Sequence, residues 1–72
     1  MERLEAPVTG TVWKLACAVG DAVDEGDVLV ILESMKMEIP VEAESDGRVA
    51  AVLCAEGEAV EDGQVLVEVE PA

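Results

Sequence analysis

Few side chains in this sequence can do covalent chemistry. It has no histidine, two cysteines (Cys17 and Cys54), two lysines (Lys14 and Lys36) and 17 acidic residues. Without histidine the commonest general base is missing, and no nucleophile has a partner able to take its proton. Two cysteines cannot close a zinc shell, and no glycine-rich stretch has the spacing of a phosphate loop. The acidic residues crowd into 21–27 and 56–62. Neither stretch has the alternating oxygen ligands and final Glu of a calcium loop, so both read as solvated turns. What remains is an amine. Lys36 stands between Met35 and Met37 in the stretch Glu33-Ser34-Met35-Lys36-Met37-Glu38-Ile39-Pro40. The run 28–32 before it is apolar and β-type, and Ile39, Val41 and Ala43 after it alternate with Pro40, Glu42 and Glu44. Two strands about a short polar break predict a β-hairpin with Met35 and Lys36 at or next to its tip. A solvated turn lysine is the plain reading. It leaves two large apolar neighbours at an exposed tip unexplained.

Glu33-Ser34-Met35-Lys36-Met37 resembles the attachment motif of biotinyl domains, the carrier modules of biotin-dependent carboxylases. Ala6-Pro7-Val8-Thr9-Gly10 is similar to that family's entry segment, and Gly20-Asp21 and Gly26-Asp27 to its turns, so the likeness covers nearly the whole chain. The nearest type is the small free-standing biotin/lipoyl attachment protein, because residues 1–72 hold a single module behind an initial Met. The resemblance implies biotin in amide linkage to Lys36, with Met35 and Met37 recognised by a biotin protein ligase and Glu33 and Glu38 assisting. It further implies a non-catalytic carrier shuttling carboxyl groups between the biotin carboxylase and carboxyltransferase subunits of a carboxylase. Two rivals stay open. One is lipoate on Lys36, alone or alongside biotin, although lipoyl hairpins usually carry Asp where Met35 stands. The other is an unmodified β-sandwich acting only in protein interactions.

Composition narrows the partners. Seventeen acidic residues against four basic ones give a net charge of -13, which argues against nucleic acid and against anionic membrane surfaces. No segment approaches the roughly 20 apolar residues of a membrane span. No basic and apolar leader pattern opens the chain, so a cytoplasmic protein is expected. Thirteen valines, ten alanines and six leucines beside a single aromatic, Trp13, predict an all-β domain with a thin core.

The elements that must position Lys36 come from an internal repeat. Residues 6–35 align with 43–72 at a constant offset of 37, with identical pairs such as Gly10/Gly47, Cys17/Cys54, Gly20/Gly57, Gly26/Gly63 and Val30/Val67. The repeat predicts two pseudo-twofold-related four-strand halves. The resemblance implies that they form a flattened β-barrel or sandwich of the hammerhead type, and the short stretch from Trp13 to Val19 leaves no room for the thumb of some biotinyl domains. Thr9-Gly10 and Asp46-Gly47 read as bends. Val12, Leu15 and Cys17, like Val49, Val52 and Cys54, step by three and then two, which predicts a β-bulge. Val28, Val30 and Leu32 should face inward, as should Val65, Val67 and Val69. Ile31, in the slot of Glu68, is either a lone exposed residue or part of a contact patch. Trp13, matched by Ala50, should be partly exposed. Cys17 and Cys54 read as buried thiols. Position 36 plus 37 falls one past the end of the chain, so the hairpin should be the counterpart of the two termini and lie opposite them.

Overall fold

A computed structural model of the chain describes all 72 residues and contains only strands: β1 (Glu2–Glu5), β2 (Gly10–Leu15), β3 (Ala22–Val23), β4 (Val28–Ser34), β5 (Met37–Glu42), β6 (Gly47–Val52), β7 (Ala59–Val60) and β8 (Val65–Pro71). Adding 37 to the bounds of β2, β3 and β4 reproduces those of β6, β7 and β8. The strands form two four-stranded antiparallel sheets, ordered β1-β8-β6-β3 and β5-β4-β2-β7. The sequence halves are therefore not the layers. Each sheet takes two strands from each half, so neither half completes its hydrogen bonding without the other. No further element interrupts the stretch between β2 and β3.

The core obeys the twofold in full. Its sixteen buried residues fall into eight pairs at the 37-residue offset: Leu4/Val41, Ala6/Ala43, Val12/Val49, Cys17/Cys54, Val23/Val60, Leu29/Leu66, Val30/Val67 and Leu32/Val69. No polar side chain is buried among them, as befits a thin core with no room for a compensating network. The bulge expected in β2 and β6 is present, with register shifts at Val12/Lys14 and at Val49/Ala51.

A second pair of irregularities went unread in the sequence. Val28 and Val30 of β4 face Glu42 and Val41, leaving Leu29 as an extra residue, and β8 does the same against β1 around Leu66. Two residues opposing one let both Leu29 and Val30 turn inward. Val28 is left 38% exposed and Val65 only half-buried, so these two valines are not the core positions that strict alternation predicts.

Turn chemistry repeats with the same offset. Gly20, Gly26, Gly57 and Gly63 all have positive φ. Asp21 accepts the Ala18 N–H (2.9 Å) and Glu58 the Ala55 N–H (3.0 Å), while Asp27 accepts from Asp24 (2.9 Å) and Gln64 from Glu61 (3.0 Å). These side chains, three carboxylates and one amide, close their own turns. The expected bends fall on Thr9 and Asp46, while Gly10 and Gly47 serve a different end. Both open strands without positive φ, and a Cβ on Gly10 would sit 2.5 Å from the Glu33 carbonyl oxygen, with Gly47 equally crowded by that of Glu70. Glycine is needed there for room, where β2 crosses close to β4 and β6 close to β8.

Candidate functional site

β4 and β5 pair from Val28↔Glu42 to Ser34↔Met37, leaving Met35 and Lys36 as a two-residue loop. Their φ values are 53° and 65°, the only positive ones outside glycine. Positive φ at both loop residues is the mark of a type I′ turn, whose twist matches the flanking strands and which favours Asn-Gly. Met-Lys is a poor sequence for it, since the left-handed region costs a non-glycine residue about 1–2 kcal/mol. The turn forms because the strands on either side fix it. An outlier held against local preference points to a role for these side chains beyond turning the chain.

The base of the tip is pinned. The Ser34 hydroxyl donates to the Thr9 carbonyl (3.0 Å) across to the segment entering β2. Val8 and Ile39, both partly buried, pack against the core on this side. Sequence reading missed Ser34 and this anchoring. The one available signal was that their offset mates Pro71, Ser45 and Glu2 are of unlike chemistry. Beyond the base everything is open: Met35 is 89% and Met37 60% exposed, and Lys36, Glu33 and Glu38 are exposed as well. Glu33 and Glu38 face each other across the hairpin. The chain's single ion pair is Arg3 Nε to Glu68 Oε2 (3.0 Å), so Lys36 has no carboxylate partner and Glu33 and Glu38 have no cationic one.

The structure thus brings Glu33, Met35, Lys36, Met37 and Glu38 together on one projection. Its largest surface depression lies elsewhere, among Ala22–Asp24, Asp46–Arg48 and Glu70–Ala72, and residues 33–38 line none of the three depressions. The chain leaving β5 runs back along the body, and Glu2 accepts the Glu44 N–H (3.2 Å) and the Ser45 hydroxyl (3.1 Å). With Glu2 opposite Val69 in β1–β8, both termini gather at the end of the 34 × 19 × 18 Å molecule away from the hairpin. Lys14 lies within β2, opposite Ile31, and is not presented by a turn. Cys17 and Cys54 are buried and unbonded. Burial pushes both thiols up, with Asp21 adding to the effect at Cys17, and Glu58 followed by Cys17 adding at Cys54.

Comparisons with known proteins agree with this geometry. The profile of the family described as "Biotin-requiring enzyme" matches residues 2–69. The "Biotinylated protein TB7.3" of Mycobacterium tuberculosis is 50% identical over 42 residues, which are 58% of this chain and 59% of that protein. The "Biotin-dependent acyl-coenzyme A carboxylase alpha3 subunit" of Mycobacterium leprae is 51% identical over 45 residues, 62% of this chain and 8% of the subunit. Among solved structures, the urea carboxylase of Kluyveromyces lactis superposes with a TM-score of 0.90 at 39% identity, covering 96% of this chain and 6% of that one. The chain therefore spans somewhat more than half of one relative and a small fraction of the carboxylases. No helix of the structure is long and apolar enough to cross a membrane. With a family profile over nearly its full length and a superposable fold, the chain belongs to the biotin-requiring attachment-domain family, as a biotinyl domain homologous to the carrier domains of carboxylases.

Proposed function

We propose that this chain is a single, non-catalytic biotin carboxyl carrier module, modified on Lys36, that works in the cytoplasm with a biotin protein ligase and with biotin carboxylase and carboxyltransferase components. The observation that carries this reading is the type I′ tip, where Lys36 stands unpaired between two exposed methionines at the end remote from both termini. The residues fit the group. An amide bond to a long acyl tether needs an amine that a second active site can enclose, and a two-residue loop places nothing beyond it.

Lys36 Nζ would hold the group through an amide bond, the new C–N bond replacing the bond between an activated biotin carboxyl and its leaving group while the amine's proton passes to solvent. Met35 and Met37 supply an adaptable apolar contact to the enclosing enzyme, and Glu33 and Glu38 a negative flank. Once attached, biotin supplies a ring nitrogen that carries a carboxyl group between two active sites. The domain contributes reach and local concentration. Its own groups support a non-catalytic role: the thiols are buried with their acidity weakened, and Asp21, Asp27 and Glu58 are engaged with turn backbone.

Lipoate is the second reading, because the same hairpin tip would present it equally well. An intact-mass measurement on protein from cells containing both ligases separates the cases. Biotin as the main adduct is expected. Lipoate as the main adduct, or no adduct, would contradict the cofactor assignment.

A further inference from the structure

The outer face of the β5-β4-β2-β7 sheet carries an apolar row that the scaffold does not require. Lys14, Ile31 and Pro40 lie opposite one another in adjacent strands. The bulge at Val12/Lys14 turns Trp13 out beside Lys14, leaving it 52% exposed. The twofold supplies an internal control. At the equivalent positions of the other sheet stand Ala50 and Ala51 for Trp13 and Lys14, Glu68 for Ile31 and Arg3 for Pro40. There the surface is two small residues and the Arg3–Glu68 ion pair. One scaffold is therefore complete with a polar outer row, and Trp13, Ile31 and Pro40 are an addition on the side that bears the hairpin. One row nearer the tip, the exposed and unpaired Glu33 and Glu38 oppose each other, an arrangement of like charges that by itself destabilises a sheet.

We propose that this face is the docking surface for the biotin protein ligase, which meets it with an apolar pocket for Trp13 and Ile31 and a rim of Lys or Arg against Glu33 and Glu38. The proposal rests on the carrier reading above. Reach argues for this occupant. The ligase must bring an acyl carbon to Lys36 Nζ itself, so it has to close over the hairpin, whereas an enzyme acting on the attached group meets it a full tether further out. Ile31 lies three residues from Ser34, about 10 Å along the strand, well inside a standard interface. Charge argues the same way. An enzyme that activates a carboxylate with ATP holds phosphates at its active site, and the cationic groups this demands complement the carboxylates flanking Lys36. A second copy of the chain is disfavoured by the net charge of -13.

The test exchanges the row for its own twofold equivalents, Trp13→Ala, Ile31→Glu and Pro40→Arg, in the full chain, and assays it with biotin protein ligase, biotin and ATP. The KM for the chain is expected to rise at least about ten-fold, with kcat and the unfolding midpoint nearly unchanged. Raising ionic strength should raise the wild-type KM through the glutamate flank. If the triple variant loses cooperative unfolding, Trp13→Ala alone carries the test, since its mate is already alanine. An unchanged KM while the wild-type chain is biotinylated overturns the docking surface and leaves the carrier reading standing. A KM unchanged for the ligase but raised for a biotin carboxylase assigns the face to another occupant and also overturns the proposal. A wild-type chain that accepts no biotin overturns the carrier reading itself.

Discussion

The two ends of this molecule are built on one scaffold and differ in almost every residue that the scaffold leaves free. At the hairpin end the Thr9 carbonyl accepts the Ser34 hydroxyl; at the terminal end the equivalent Asp46 carbonyl accepts the Ala72 N–H at 3.2 Å. Where Val8 and Ile39 pack against the core near the hairpin, their counterparts Ser45 and Glu2 are joined by a hydrogen bond. The hairpin closes β4 to β5 through Met35 and Lys36, and β8 and β1 are left open at the matching place. All eight core pairs are nonetheless kept. The repeat thus separates what folding needs from what has been added at one end, and the additions converge on Lys36.

The largest effects expected are those that test whether the two ends share a scaffold. Gly10→Ala and Gly47→Ala each force a Cβ against a strand carbonyl and should each cost about 2–3 kcal/mol, measured by urea denaturation. Only Gly10→Ala meets Glu33 and Ser34 at the hairpin base, so it alone should also slow modification of Lys36. Cys17→Ala and Cys54→Ala should cost nearly equal amounts, about 1 kcal/mol each. The raised thiol pKa values give this pair a pH signature. Both states hold the proton below the ordinary thiol value of 9.0, and above it the unfolded chain releases protons that the folded chain keeps. Stability should be flat in this respect below that pH and decline as pH rises towards the raised folded values, a decline the double Cys→Ala variant lacks. The smallest effect concerns the turn. Met35→Asn relieves left-handed strain and should stabilise the hairpin end by about 0.5–1 kcal/mol while lowering the rate of modification. A variant that gains both stability and rate would show that Met35 has no recognition role.

Much of this was legible in the sequence because the repeat doubles every signal. Gly20 and Gly57, the bulges after Val12 and Val49, and the buried pair Cys17 and Cys54 were each readable twice at a fixed spacing. The inward turn of Leu29 was not. An unbroken run from Val28 to Leu32 is compatible with any bulge position, and only the register against Val41 and Glu42 decides it. The exchange of strands between sheets was equally hidden, since pairing partners leave no trace in local periodicity. Lys36 stood out through its neighbours. The role of Ser34 did not, because its hydrogen bond goes to a residue 25 positions away.

Arginine scanning of the two lysines tests the central claim most directly. Lys36 and Lys14 are both exposed, and they differ in being presented by a type I′ turn or lying within a strand. Expressed with biotin protein ligase and read by intact mass, Lys14→Arg should carry one biotin and Lys36→Arg none, with both unfolding at the wild-type midpoint because each arginine stays solvated. A biotin adduct on Lys36→Arg would contradict the assignment of the hairpin tip as the site of attachment.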